Sequence, residues 1–258
     1  MPAARRMLAI GLNAVSPAAY NGWDGRLVAC EHDANSYLAI ANDLGFDEME
    51  AILTKRAKWA RIAASIKKLA KATKPGDLAV ITYSGHGGQF RDASGDETID
   101  RLDEAPCLYD GPVIDDMIRD LFALFPEGST VVYITDSCHS ATQARNFADF
   151  TGVSLDRIKA APRWALKDVA PKRRPDDAPP VEPKARIVTF AACRDDQVAM
   201  DGDGNGLFTG SLVAAHCAGA RSWRELRAAV EGMIGQTQEP CLSGPDDVLD
   251  WPPFRIGS

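Results

Sequence analysis

The chain has 258 residues, 45% of them hydrophobic, with a formal net charge of −7 and an isoelectric point near 5.2. That length and apolar content suffice for a full core in one large domain or two small ones. The acidic balance argues against a nucleic-acid footprint, and no apolar run approaches the roughly 20 residues that cross a bilayer, so neither nucleic acid nor a membrane is expected as a partner.

Arg5-Arg6 precede an apolar run over 7–12, which Asn13 closes too early for a secretory signal; it reads as a first buried strand. Residues 33–44 are amphipathic at helical spacing, with Gly45 suited to the cap. In 58–73, Ile62, Ile66 and Leu69 share a helix face opposite Lys67, Lys68 and Lys71, and Pro75-Gly76 stops that helix before a second strand over 78–84. A helix over 113–125, strands over 131–135 and 186–190, and helices over 208–218 and 223–234 follow. Such alternation predicts an α/β fold, a mostly parallel central sheet flanked by helices as an α/β/α sandwich. The stretch 157–184 is rich in charge and proline and lacks a core-forming pattern. It is expected as an exposed linker between portions 1–156 and 185–258 of a single domain.

Six cysteines, Cys30, Cys107, Cys138, Cys193, Cys217 and Cys241, are scattered without a CxxC pair. Reduced thiols and a cytoplasmic location are the expectation. Two polar segments close apolar strands: Tyr83-Ser84-Gly85-His86-Gly87-Gly88 after the second, and Asp136-Ser137-Cys138-His139-Ser140 after the third. Ligands of open α/β sheets bind at the carboxyl ends of strands, so adjacent strands would bring His86 and Cys138 together. A thiol beside an imidazole is an activated nucleophile, and glycine backbone there approaches a substrate closely enough to stabilise an oxyanion. The chemistry implied is acyl transfer from an amide through a thioester. His139 and His216 have no ligand spacing for zinc. Asp201-Gly202-Asp203-Gly204-Asn205-Gly206 opens like an EF-hand loop, but Leu212 stands where the bidentate Glu belongs, so a polar turn is the reading.

These motifs resemble those of metacaspases and their bacterial relatives, the orthocaspases, among caspase-like cysteine peptidases. His86 and Cys138 are 52 residues apart, close to the roughly 50 usual for caspases. Further similarity lies at 27–34, at Gly95-Asp96-Glu97, at 102–105, at Ile114-Asp115-Asp116 and from Ala192 to Thr209. The resemblance implies a caspase-like fold and a cysteine endopeptidase with Cys138 as nucleophile, His86 as acid/base, and the backbone N–H groups of Gly87 and Cys138 as oxyanion donors. It implies a pocket of Cys30, Asp33, Ser84 and Asp136 that takes Arg or Lys before the scissile bond. Two carboxylates around one cation are consistent with that assignment. No cofactor is required for the chemistry. Calcium at Asp103, Asp115 and Asp116 is the activator the resemblance suggests, although Arg145 stands where the family often has an Asp, and Ala141 replaces a usual glycine. Peptide or protein substrates, a monomer in place of a caspase-type dimer, and self-processing at Arg173 or Arg174 complete the expectation. Rival readings are a catalytically silent scaffold and a same-clan peptidase of different specificity.

Overall fold

The structure, a computed structural model, describes residues 3–91, 102–138, 144–145, 148–149, 151–174, 181–194, 197–235 and 238–257. The acidic segment 95–97, His139, Ser140 and Ala141 therefore lie outside the described residues. Five parallel strands, β1 (Arg5–Gly11), β2 (Glu48–Leu53), β3 (Leu78–Ser84), β7 (Thr130–Asp136) and β8 (Arg186–Ala191), form the main sheet in the order β2-β1-β3-β7-β8. A short antiparallel strand, β9 (Cys241–Ser243), closes the edge beside β8. A second small sheet pairs β4 (Gly87–Arg91), β5 (Leu102–Leu108) and β6 (Gly111–Pro112).

Side-chain alternation divides each central strand between two cores. Met7, Val80, Val132, Val188 and Phe190 face one side, where α1 (Cys30–Asp43), α5 (Leu207–Cys217), α6 (Trp223–Ile234) and α7 (Asp246–Leu249) supply Tyr37, Phe208, Leu212, Trp223 and Leu249. Leu8, Ile10, Ile81 and Val131 face the other, covered by α2 (Trp59–Ala72) and α3 (Asp115–Phe122) through Ile62, Ile66, Ile118 and Phe122. Every residue of β3 is buried, as expected of a central parallel strand with helices on both faces. This is the layered α/β sandwich expected.

Differences from expectation sit at edges and ends. The strand β2 has exposed Glu48 and Met49 and lacks a continuous apolar run. The predicted helix over 113–125 starts later, at Asp115, because Val113 donates to the Pro106 carbonyl and Ile114 to that of Lys172. The largest correction concerns 158–161 and Ala165 within 157–184, a stretch whose Arg163, Trp164, Lys167 and Asp168 are exposed. Ile158, Lys159, Ala161 and Ala165 are completely buried, and a short helix, α4 (Arg163–Leu166), follows them. This part crosses the ends of β3 and β7 and finds backbone partners there, so it is interior chain where an exposed linker was expected.

Candidate active site

The registers align Gly11, Ser84 and Asp136 at the carboxyl ends of β1, β3 and β7. A side chain on Gly11 would run into the Cys30 carbonyl, so this glycine lets α1 start against the strand and brings Cys30 and Asp33 to the same end. The four pocket residues expected from the sequence, Cys30, Asp33, Ser84 and Asp136, are thus together and buried. The pocket is filled. Lys159 Nζ stands 2.9 Å from Asp33 Oδ2, 3.0 Å from Asp136 Oδ2 and 3.0 Å from Ser84 Oγ, with its side chain wholly shielded from solvent. Burial opposes the lysine charge, yet Asp136, Cys30 and Asp33 together hold its pKa well above the ordinary value.

Two buried carboxylates need more than one cation, and the start of α5 supplies the remainder. Asp33 Oδ1 accepts from the Gly206 N–H at 2.8 Å and Asn205 Nδ2 at 2.9 Å. Asp136 Oδ2 accepts from the N–H and hydroxyl of Thr209 at 3.2 and 2.7 Å. First-turn N–H groups lack helical partners and carry the positive end of the helix dipole, so they suit anionic neighbours. Among the described residues, Asp136 Oδ1 is buried without a hydrogen-bond partner.

The backbone around Lys159 is held as firmly as its side chain. Its carbonyl oxygen accepts from the Gly87 N–H at 3.0 Å and the Cys138 N–H at 3.1 Å, the two groups expected as oxyanion donors. Its own N–H donates to the Ala199 carbonyl at 2.9 Å, Ile158 bridges Met200 in antiparallel sense, and Asp201 N–H donates to the Arg157 carbonyl at 2.8 Å. Past the lysine, Ala160 bridges Gly87 in parallel sense and Ala161 N–H donates to the Gly87 carbonyl at 2.8 Å. An extended chain with one side chain in a pocket and the following carbonyl on two convergent donors is the geometry of a bound peptide before acyl transfer.

Cys138 follows β7, and its Sγ donates to the Gln197 carbonyl at 2.9 Å. His86 is packed beneath Trp23, ring centroids 4.6 Å apart, and its Nε2 is held at 3.2 Å from the Gly25 carbonyl. That contact leaves Nδ1 buried and without a hydrogen-bond partner among the described residues. Burial pushes the imidazole pKa down to about 3, against the Gly25 contact and assisted by Lys159, so the ring is neutral at pH 7. Beyond Ala160 a cleft of about 1050 Å³, open mouth included, is lined by Trp23, Asp24, Arg26, His86, Arg145 and Trp164.

Comparison with known proteins gives the family. The family model described as "Caspase domain" matches residues 8–246. The chain belongs to the caspase-domain family. Among curated relatives, it is 30% identical over 146 residues to Metacaspase-7 of Arabidopsis thaliana and 31% over 152 residues to Metacaspase-1 of Saccharomyces cerevisiae, matches that cover 53% and 54% of this chain. They cover only 35% and 34% of those proteins, so the chain spans about a third of their length. Metacaspase-1B of Neosartorya fischeri is 27% identical, over 93% of this chain and 68% of its own. A crystal structure of the Geobacter sulfurreducens protein GSU0716 superposes with a TM-score of 0.82 at 32% identity, over 99% of this chain and all of that one.

The other expected residues of this caspase-domain chain lie elsewhere. Arg173 Nη2 is 3.7 Å from Asp103 Oδ2, and Arg174 pairs with Asp116 at 2.6 Å and Asp120 at 3.2 Å. The two arginines proposed for processing thus pair with Asp103, Asp116 and Asp120, outside the pocket. The same pairs put guanidinium groups at two of the three carboxylates suggested for calcium. Among the described residues no group of three or more His, Cys, Asp or Glu side chains is placed to hold a metal. Lys159, Asn205, Gly206 and Thr209, and the carbonyls of Gly25 and Gln197, were not found from sequence. One signal was present: Lys159 is a single charge inside Ile158-Lys159-Ala160-Ala161, an otherwise apolar run within a charged, proline-rich stretch.

Proposed function

We propose that this caspase-domain protein is a cysteine endopeptidase that cleaves after Lys or Arg, with its own Lys159–Ala160 bond among its substrates. The observation that carries the reading is Lys159, whose ammonium group is held by Asp33 and Asp136 while its carbonyl rests on the N–H groups of Gly87 and Cys138. In the reaction, Cys138 Sγ attacks the carbonyl carbon and its proton passes to His86 Nδ1. The two N–H groups stabilise the developing oxyanion, His86 returns the proton to the departing nitrogen, and water hydrolyses the thioester. The neutral imidazole is in the state required to accept that first proton. The Gly25 carbonyl holds Nε2 as the protonated nitrogen, which leaves Nδ1 as the acceptor of the ring. Self-processing accordingly moves from Arg173 and Arg174 to Lys159.

Lysine has three donors, and Asp33, Asp136 and Ser84 use all of them. Asp136 Oδ1 is left unpaired, and a guanidinium, with five donors in a planar fork, is suited to reach it. External Arg-ended peptides are therefore expected to react faster than Lys-ended ones. The test is hydrolysis of Arg-, Lys- and Asp-ended fluorogenic peptides by the Lys159→Ala variant, which empties the pocket, with calcium or with a chelator. Basic peptides should be cut and Cys138→Ala should abolish the activity. Faster cleavage of the Asp-ended peptide, or activity surviving in Cys138→Ala, would overturn the proposal.

A further inference from the structure

We propose that the site also makes the bond it cuts: it re-forms Lys159–Ala160 from its own acyl-enzyme, so that residues 157–166 act as a resealable built-in inhibitor. The proposal rests on the peptidase reading above and on one more property of the cleft, that both sides of the scissile bond stay anchored after it breaks.

On the acyl side, Lys159 and Arg157 are paired with the backbone of Ala199 and Asp201. The Asp201 carboxylate in turn accepts from the N–H groups of Val28 at 2.7 Å and Ala29 at 3.0 Å, tying this strand to the start of α1. On the amine side, Ala161 is fully buried in a small core with Val15, Tyr20 and Cys107, against which Leu166 packs. Asn21 Nδ2 donates to the carbonyls of Lys167 at 2.6 Å and of Trp164 and Ala165 at 3.3 Å, capping the end of α4. Lys172 N–H then donates to the Pro112 carbonyl, and Ile114 N–H to that of Lys172, both at 2.9 Å. None of these contacts involves the Lys159–Ala160 peptide bond, so cleavage leaves them in place.

Acylation forms the Cys138 Sγ–carbon bond, breaks the bond to Ala160 nitrogen, and delivers the proton from His86 to that nitrogen. In an ordinary substrate the amine then diffuses away and water takes its place. Here the amine remains in the cleft at an effective concentration on the order of 10⁵ M or more, as for well-oriented intramolecular groups. Its lone pair attacks the thioester carbon, the carbon–sulfur bond breaks, and the proton lost from nitrogen passes through His86 back to the thiolate. The step needs no oxidant, reductant or cofactor. Hydrolysis, which leaves Lys159 as a carboxylate, competes only when the amine-side strand lifts.

The test follows intact and nicked full-length chain by mass and by gel. Wild type should nick at Lys159–Ala160 slowly and incompletely, and isolated nicked chain, whose Lys159 carboxylate re-acylates Cys138 with loss of water before the Ala160 amine displaces the thiolate, should partly regain the intact mass. Asn21→Ala and Leu166→Ala, which loosen the amine-side strand and lie outside the dyad and pocket, should carry nicking to completion at least tenfold faster. They should also raise hydrolysis of an Arg-ended peptide. Complete nicking of wild type with no resealing, or variants that nick no more than wild type, would overturn the proposal. Lys159→Ala separates the two claims. If it is folded but inactive on the Arg-ended peptide, the peptidase reading falls; if it is active while wild-type nicking is complete and irreversible, only resealing falls.

Discussion

The stretch 157–174 places basic side chains on two acidic clusters, and the two arrangements differ in nearly everything except charge. Lys159 lies among Asp33, Asp136 and Ser84 with none of these side chains meaningfully exposed. Arg173 and Arg174 lie on Asp103, Asp116 and Asp120 where water still reaches them, with 30% and 11% of their side chains exposed. In composition the arginines are the better match to an acidic pocket. Burial decides otherwise. A cation among buried carboxylates has no water to exchange for and is held by fixed donors and acceptors, whereas surface pairs trade contacts of similar strength with solvent. The comparison teaches that the pocket selects its occupant by where the backbone can thread, since only the chain at Lys159 can also offer a carbonyl to Gly87 and Cys138.

The largest effect that would break this contrast is at Asp136. Asp136→Ala, with Lys159 retained, leaves a buried ammonium short of a partner and should cost about 3–5 kcal/mol in urea denaturation; a loss no larger than that of a surface pair would remove the distinction. Next is Gly206. An added Cβ would stand 2.6 Å from Asp136 Oδ2 and closer still to Lys159 Nζ, so Gly206→Ala in the Lys159→Ala background should lower kcat/KM for Arg-ended peptides on the order of 100-fold. An unchanged value would exclude Gly206 from the pocket wall.

A pH profile sharpens the same contrast. Burial raises the Asp136 pKa, Lys159 opposes that rise and Asp33 adds to it, so Lys159→Ala removes the opposing cation. A raised carboxylate pKa means that the anion is lost at a higher pH than usual. Hydrolysis of basic peptides by this variant should therefore fall as pH drops, with a midpoint above the ordinary carboxylate range. A midpoint at or below that range would count against a buried, solvent-poor pocket. The smallest effect is expected at the surface. Arg174→Ala should cost about 1 kcal/mol or less and become milder still in high salt, without moving the nick from Lys159–Ala160. A nick that shifts or disappears would restore Arg174 as a processing residue.

Much of this was legible in local sequence. The strands at 78–84 and 131–135, the polar segments that close them, and Asp33 at the start of a helix are all contained in short stretches, and their chemistry follows from residue type and position. The small sheet was not legible because β4 begins with two glycines, β5 carries Asp103, Glu104 and Pro106, and β6 has only two residues, so none shows an apolar strand pattern. The segment 201–206 read as a polar turn, yet its Asn205 and Gly206 donate to Asp33 across 172 and 173 residues of chain. Lys159 is 126 residues from Asp33, and the only local sign that sets it apart from a solvated charge is the short apolar run Ile158-Lys159-Ala160-Ala161 around it.

By itself, then, the sequence determined the layered α/β architecture, the strand-end segments that carry His86 and Cys138, and the acidic residues Asp33 and Asp136 beside them, because each is written in residues adjacent along the chain or in the period of a strand or helix. Only the tertiary structure decided what fills the pocket and how it is held. That outcome depends on backbone N–H and carbonyl groups, which every residue possesses alike, and on which of several similar cations the folded chain can carry into a site closed to water.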